Sequence, residues 1–140
     1  MSLPSYICKE LPDGSYFGIY CHSSGEVARN GKMLCEHYTD EAKIDKLLAL
    51  GDISNLALNL EPDTPDDFSN ACYAYCRDGG ESYDHNKPQV VRLRNARKSG
   101  IKFMYVFGLD GKWRYCNLWQ SRSKFQDVQE ALHKEKTAEM

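Results

Sequence analysis

No stretch of this chain is apolar for anything near the roughly 20 residues that a membrane-spanning helix needs. Its first residues also lack the basic-then-apolar layout of a secretory leader. Both absences predict a soluble, cytoplasmic protein with no membrane association. Missing too are internal repeats, a long linker, a phosphate-binding glycine loop and any recognised motif around a nucleophilic serine or cysteine. Nor is there a large excess of one charge. Against 20 Asp and Glu stand 18 Lys and Arg, a formal net charge of -2, which gives no general attraction to polyanions or lipid surfaces.

What is present has the makings of an ordinary domain. Hydrophobic residues at 41% and charged residues at 27% lie near globular averages. A chain of 140 residues suits one domain, so residues 1–140 are read as a single globular unit. Met1-Ser2-Leu3 reads as a vector-derived scar, and about 134–140 as a frayed end. At this size a core forms without the help of a metal or disulfide. The cysteines, Cys8, Cys21, Cys35, Cys72, Cys76 and Cys116, are therefore expected to be reduced and to pack as small hydrophobes.

The pattern predicts α+β architecture: an antiparallel sheet built from two β-hairpins plus an internal strand, with three or four helices on at least one face. The first hairpin joins 5–10 to 16–23 through Asp13-Gly14. Alternation in its second arm puts Phe17, Ile19 and Cys21 on one face and Tyr16, Tyr20 and His22 on the other. A short helix is expected over 32–38. A longer one follows, capped by Thr39, striped by Ile44, Leu47 and Leu48, and stopped at Gly51. Residues 52–71 read as irregular and 72–76 as a short strand; in 90–98 Val91, Leu93 and Ala96 fit either a strand or a helix, and a helix ending at Ser99-Gly100 is preferred. The second hairpin turns at Asp110-Gly111 between 101–107 and 112–118, its first arm apolar on both faces and so central. A last helix begins near Ser123, with Phe125, Val128 and Leu132 on one stripe.

Four constellations bear on chemistry. Cys21-His22 and Cys35-Glu36-His37 bring thiols and imidazoles close in sequence, as a metal site or a thiol nucleophile with its base would require. Neighbours on a strand point to opposite faces, however, and residues two apart on a helix diverge, so local geometry opposes both uses. Cys72 and Cys76 on one strand would stand roughly 13 Å apart, too far for a disulfide. Acidic residues dominate 61–84, and 87–102 is wholly basic: Lys87, Arg92, Arg94, Arg97, Lys98 and Lys102. The basic stretch, with Phe103, Tyr105, Trp113 and Tyr115 beside it, is the one feature that would suit nucleic acid. Near neutrality overall favours the two blocks packing against each other instead.

Gly18-Ile19-Tyr20-Cys21-His22, then Gly31-Lys32, Leu34 and Glu36-His37-Tyr38, then Leu50-Gly51-Asp52-Ile53-Ser54, resembles a small family of bacteriophage and mobile-element proteins. Ala74-Tyr75, Arg77-Asp78 and Gly80-Glu81 continue the likeness, which covers roughly residues 5–84. Where that family follows its Cys-His with a Trp-Asp-Gly-Tyr type of turn, this chain has Ser23-Ser24-Gly25-Glu26. The resemblance implies a setting and no particular reaction. It favours a non-enzymatic protein that binds or modulates a host protein or a small ligand.

The expected binding surface comprises Tyr20, His22, Glu36, His37, Arg77 and Asp78, with no catalytic residue, metal or cofactor. Each also has a plain structural role open to it: His37 at a helix end, Arg77–Asp78 as a turn pair. Two alternatives stand beside this reading. One is a small hydrolase or transferase using Cys21 or His22; the other is a nucleic-acid binder using the basic stretch.

Overall fold

The computed structural model describes residues 3–120 and 122–138. Its α+β class is the expected one, but its sheet is mixed. Strand β1 (Ser5–Glu10) turns through Gly14, at φ +86°, into antiparallel β2 (Tyr16–Cys21). Strand β6 (Phe103–Phe107) turns through Gly111, at φ +80°, into antiparallel β7 (Trp113–Asn117). Positive φ at these turns is what glycine supplies without strain. The two hairpins then meet in parallel, β1 against β6, with Ile7 opposite Tyr105. That central pairing overturns the expectation of a purely antiparallel sheet. Alternation fixes which face a side chain takes but says nothing about which distant strand lies alongside, or in which direction.

Short strands complete the sheet: β3 (Ile53–Asn55), β4 (Tyr73–Ala74), β5 (Gln89–Val90) and β8 (Gln126–Asp127). The order is β4-β3-β2-β1-β6-β7-β8, with β5 beside the first half of β2. Five α-helices occur among the described residues, against the three or four expected: α1 (Lys32–His37), α2 (Glu41–Ala49), α3 (Tyr83–Asn86), α4 (Leu93–Ala96) and α5 (Val128–Ala138). The extra one, α3, is a single turn in a polar stretch where periodicity has nothing to mark, and the helix expected over 90–98 shrinks to the single turn α4 because Val90 pairs with β2 instead. None of the described helices is long and apolar enough to cross a membrane.

Each face of the sheet buries its own cluster. On one face Ile7, Ile19, Cys21, Tyr105 and Trp113 meet Leu34 of α1, Leu47 of α2 and Val128 of α5. On the other, Cys8, Met104, Val106 and Cys116 pack with Ala96 of α4, Leu118 and Phe125. The apolar stripe expected on one helix from Ser123 is thereby divided. Phe125 precedes α5 and packs its ring 5.4 Å from that of Tyr16, whereas Val128 enters the main core. Pairing of Gln126 and Asp127 with β7 delays the helix, and Asp127 Oδ1 then accepts the N–H of Glu130. Helix α5 continues through the Lys134–Lys136 stretch expected to fray. The vector-scar reading covers Met1 and Ser2, which lie outside the described residues, and Leu3, whose carbonyl accepts the N–H of Gly25.

Local corrections have local causes. Asp40, not Thr39, caps α2, its side chain accepting the N–H of Ala42 at 3.1 Å. Both residue types cap well, so neighbouring candidates are not separable by type. Asn30-Gly31, a pair that commonly marks a turn, lies in a π-helical turn over Val27–Gly31 that runs straight into α1. The buried Asn30 amide donates to Ser5 Oγ, Cys21 Sγ and the Ser23 carbonyl, so the turn is fastened to both strands of the first hairpin and to the residues just after it. Within 52–71, Ile53 forms a strand by pairing with Cys21 and Ala74.

Candidate functional site

The sheet edge at β2 is shared. Its first half pairs with β5, where Gly18 stands opposite Gln89, and its end pairs with β3, where Cys21 stands opposite Ile53. Between these partners the edge opens, and the backbone N–H of Tyr20 donates to Asp52 Oδ1 at 2.9 Å rather than to a strand. A cleft of about 350 Å³ lies over the gap, lined by Tyr6, Tyr20, Asp52, Lys87, Arg92 and Asn95, among others. Several backbone bonds set its walls. Asp52 N–H donates to the Asn86 carbonyl at 2.7 Å, Tyr75 N–H to the Asp52 carbonyl at 3.2 Å, and Val91 N–H to the Tyr16 carbonyl at 2.7 Å.

The electrostatics of the cleft are uneven. Asp52 is half-buried; that burial raises its carboxyl above the ordinary value, the Tyr20 N–H opposes the rise, and the charge of Glu81 adds to it. Burial likewise raises the Tyr20 phenol, with smaller contributions from Tyr75 and Asp52. Lys87 and Arg92 are exposed, and neither has an ion-pair partner among the described residues. Two unneutralised cations and one half-buried carboxyl make a site that attracts negative charge and offers both donors and an acceptor.

Tyr20 is the one residue of the sequence-derived surface that lines this cleft. His22 stays beside it, with Nδ1 2.8 Å from Tyr20 Oη. Glu36 and His37 are elsewhere. They are exposed on α1, which packs on the face carrying Ile19 and Cys21, whereas Tyr20 stands opposite Tyr6 on the reverse face. Glu36 comes within 4.0 Å of Lys32, and the His37 carbonyl accepts from Lys43. Arg77 and Asp78 form a turn clamp. Arg77 donates to the Leu60 and Cys72 carbonyls and to Asp78, and Asp78 Oδ2 accepts the N–H of Ala74. Burial would raise the Asp78 carboxyl, but these bonds outweigh it and hold the group below its ordinary value.

The thiol–imidazole pairs are not assembled. Cys21 is fully buried, bonded to Asn30 and the Ser23 carbonyl, and its thiol is pushed up to about 12, mainly by burial. The half-buried Cys35 thiol rises to about 11 for the same reason. His22 and His37 are exposed. A nucleophilic thiolate needs a lowered pKa and a base in reach, and these thiols have neither. Among the described residues, no three His, Cys, Asp or Glu side chains gather as metal ligands would.

The basic stretch is divided by the fold. Lys87 and Arg92 enter the cleft, while Arg97 donates to the Gln120 and Ser123 carbonyls and so holds the segment after β7. Tyr105, Trp113 and Tyr115 are buried in the main core, which removes the stacking platform that nucleic acid would use. Among the described residues no ion pair joins the acidic block to the basic one, so the expectation that they lie together gains no contact here.

Sequence reasoning missed Asp52, Lys87, Arg92 and Asn95 as a group. Lys87 and Arg92 were visible only as members of the basic stretch, and Asp52 lay inside the Leu50–Ser54 pattern, but nothing local brings residue 52 to residue 92. Set against known protein families, curated proteins and solved structures, the chain matches none of them.

Proposed function

We propose that this is a non-enzymatic binding protein of a phage or mobile-element setting, working in the cytoplasm on a host component, and that the cleft at the β2 edge takes its small polar ligand. One observation carries this reading. Lys87 and Arg92, unpaired among the described residues, line the same concave site as the half-buried carboxyl of Asp52. Small-ligand sites are concave and place a few polar groups to fix orientation, whereas protein-binding patches are flatter. Concavity therefore favours a small ligand over a host protein. The thiol-dependent hydrolase or transferase loses ground because its thiols are buried, raised in pKa and apart from the imidazoles.

The test is an NMR titration of the full chain with a panel of small carboxylates, amino acids, sugars and phosphates. Saturable shifts at the amides of Tyr20, Asp52 and Asn95, weakened in Arg92→Ala, are the expected result. Silence at these amides across the panel, or shifts that Arg92→Ala leaves intact, defeats the reading.

A further inference from the structure

We propose that the ligand of this cleft is a phosphate monoester carried on a planar ring, the chemistry of a nucleoside monophosphate. The inference rests on the reading of the cleft as a small-ligand site and narrows it.

Charge comes first. Lys87 and Arg92 bracket β5, and the backbone fixes that segment at both ends through Asn86 to Asp52 and Val91 to Tyr16. Two cations lining one cleft, neither in an ion pair among the described residues, match a dianion better than a single carboxylate, and a phosphate monoester carries about -1.5 to -2 at neutral pH. The guanidinium of Arg92 suits two phosphate oxygens at once, and the Lys87 ammonium acts as a point charge beside it. The one carboxyl in the cleft, Asp52, accepts the Tyr20 N–H through Oδ1 and so is turned toward the sheet edge.

The floor supplies the second argument. Tyr6 and Tyr20 are directly opposed in register, both partly exposed, and both line the cleft. A partly exposed phenol on the cleft floor suits a flat heteroaromatic ring, because every base has a face to stack. Gln89, Asn95 and Asp52 stand in the same cleft with the donors and acceptors that a base edge needs. A volume of about 350 Å³ is at the small end of ligand pockets, suited to one mononucleotide.

The ligand could be a free mononucleotide or the 5′-phosphorylated end of a strand, and the experiment separates them. The full chain is titrated by NMR with AMP, GMP, CMP and UMP, their nucleosides, inorganic phosphate, O-phosphotyrosine, and an oligonucleotide with and without a 5′-phosphate. At least one mononucleotide is expected to bind about tenfold or more tightly than its nucleoside and than inorganic phosphate, with shifts at Tyr20, Asp52 and Asn95. Lys87→Ala and Arg92→Ala should each weaken it about tenfold, while Arg94→Ala, outside the cleft, leaves it unchanged. Tighter binding of the phosphorylated oligonucleotide than of any mononucleotide assigns the source to strand ends and upholds the shared chemistry. Nucleotides no tighter than nucleosides or phosphate, a preference for phosphotyrosine, or full affinity in Arg92→Ala overturns the inference. If nucleotides are silent while another small polar molecule shifts the same amides, this inference fails and the small-ligand reading stands. Silence from every compound sinks both.

Discussion

Removing one oxygen atom from the core should be measurable. Tyr38 is fully buried beyond the end of α1, and its hydroxyl donates to the Ala57 carbonyl at 2.7 Å. The same oxygen lies 3.6 Å from Cys72 Sγ, and the Tyr38 carbonyl accepts the indole N–H of Trp113 at 2.9 Å. Tyr38→Phe keeps the ring and the Trp113 bond, so it opens almost no cavity. It leaves the Ala57 carbonyl with only a thiol donor at 3.7 Å. A buried acceptor stripped of its partner costs about 1–2 kcal/mol. The average unfolding entropy per residue, applied to this chain length, converts each kcal/mol to about 3 °C, so the melting temperature should fall by about 3–7 °C. Tyr38→Ala, which also empties the ring's volume, should cost about 3–5 kcal/mol. Differential scanning calorimetry reads both values. A cycle with Cys72→Ala should return a coupling of about 0.5 kcal/mol or more, because the two side chains share the Ala57 carbonyl. A Tyr38→Phe protein that melts within about 1 °C of wild type would refute the idea that this hydroxyl fastens the 56–72 segment to the core.

Other outcomes follow from single features. Gly18→Ala would place a Cβ 2.1 Å from the Ile7 carbonyl oxygen and 2.6 Å from Cys8 Cα, so β1 and β2 must shift apart. A loss of about 1–3 kcal/mol in urea unfolding is expected, and an unchanged midpoint disproves the close approach. Asp52→Asn tests the cleft carboxyl. Because its folded pKa is raised, wild-type stability from this group is greatest below the unfolded value of 3.8 and falls as pH climbs through the folded one. The Asn variant should therefore gain relative to wild type as pH rises above 3.8, and a difference that stays flat with pH counts against a raised Asp52. Thiol modification of the native protein at pH 8 should proceed at Cys76 and then Cys35, the two partly exposed cysteines, while buried Cys8, Cys21, Cys72 and Cys116 wait for unfolding. Cys76→Ser should remove the fastest phase, and early reaction at Cys21 would contradict its burial.

Part of the candidate site was legible in the residues and part was not. Tyr20 could be placed on the face opposite Ile19 and Cys21 because strand alternation is strict, and the structure puts it in the cleft. Glu36 and His37 share a sequence neighbourhood with it but sit on a helix covering the reverse face. Proximity along the chain is no guide across a sheet, since neighbouring elements pack on either side of it. Arg77 had two roles open to it, a place in the binding surface and a turn pair with Asp78, and its guanidinium is committed to two carbonyls and that carboxylate.

By itself the sequence determined both hairpins, the central position of β6, and the body and C-terminal stop of α2. Each rests on interactions between residues a few positions apart: Asp-Gly turns with glycine at positive φ, period-two alternation, and an apolar stripe ended by Gly51 at φ +77°. Tertiary structure alone decided the parallel meeting of β1 and β6, the division of Phe125 and Val128 between two cores, and the cleft itself. These depend on contacts between distant segments, whose geometry is set by how two apolar sheet faces are covered at once. The cleft exists because β2 exchanges one edge partner for another, and no residue pattern near β2 encodes which strands those will be.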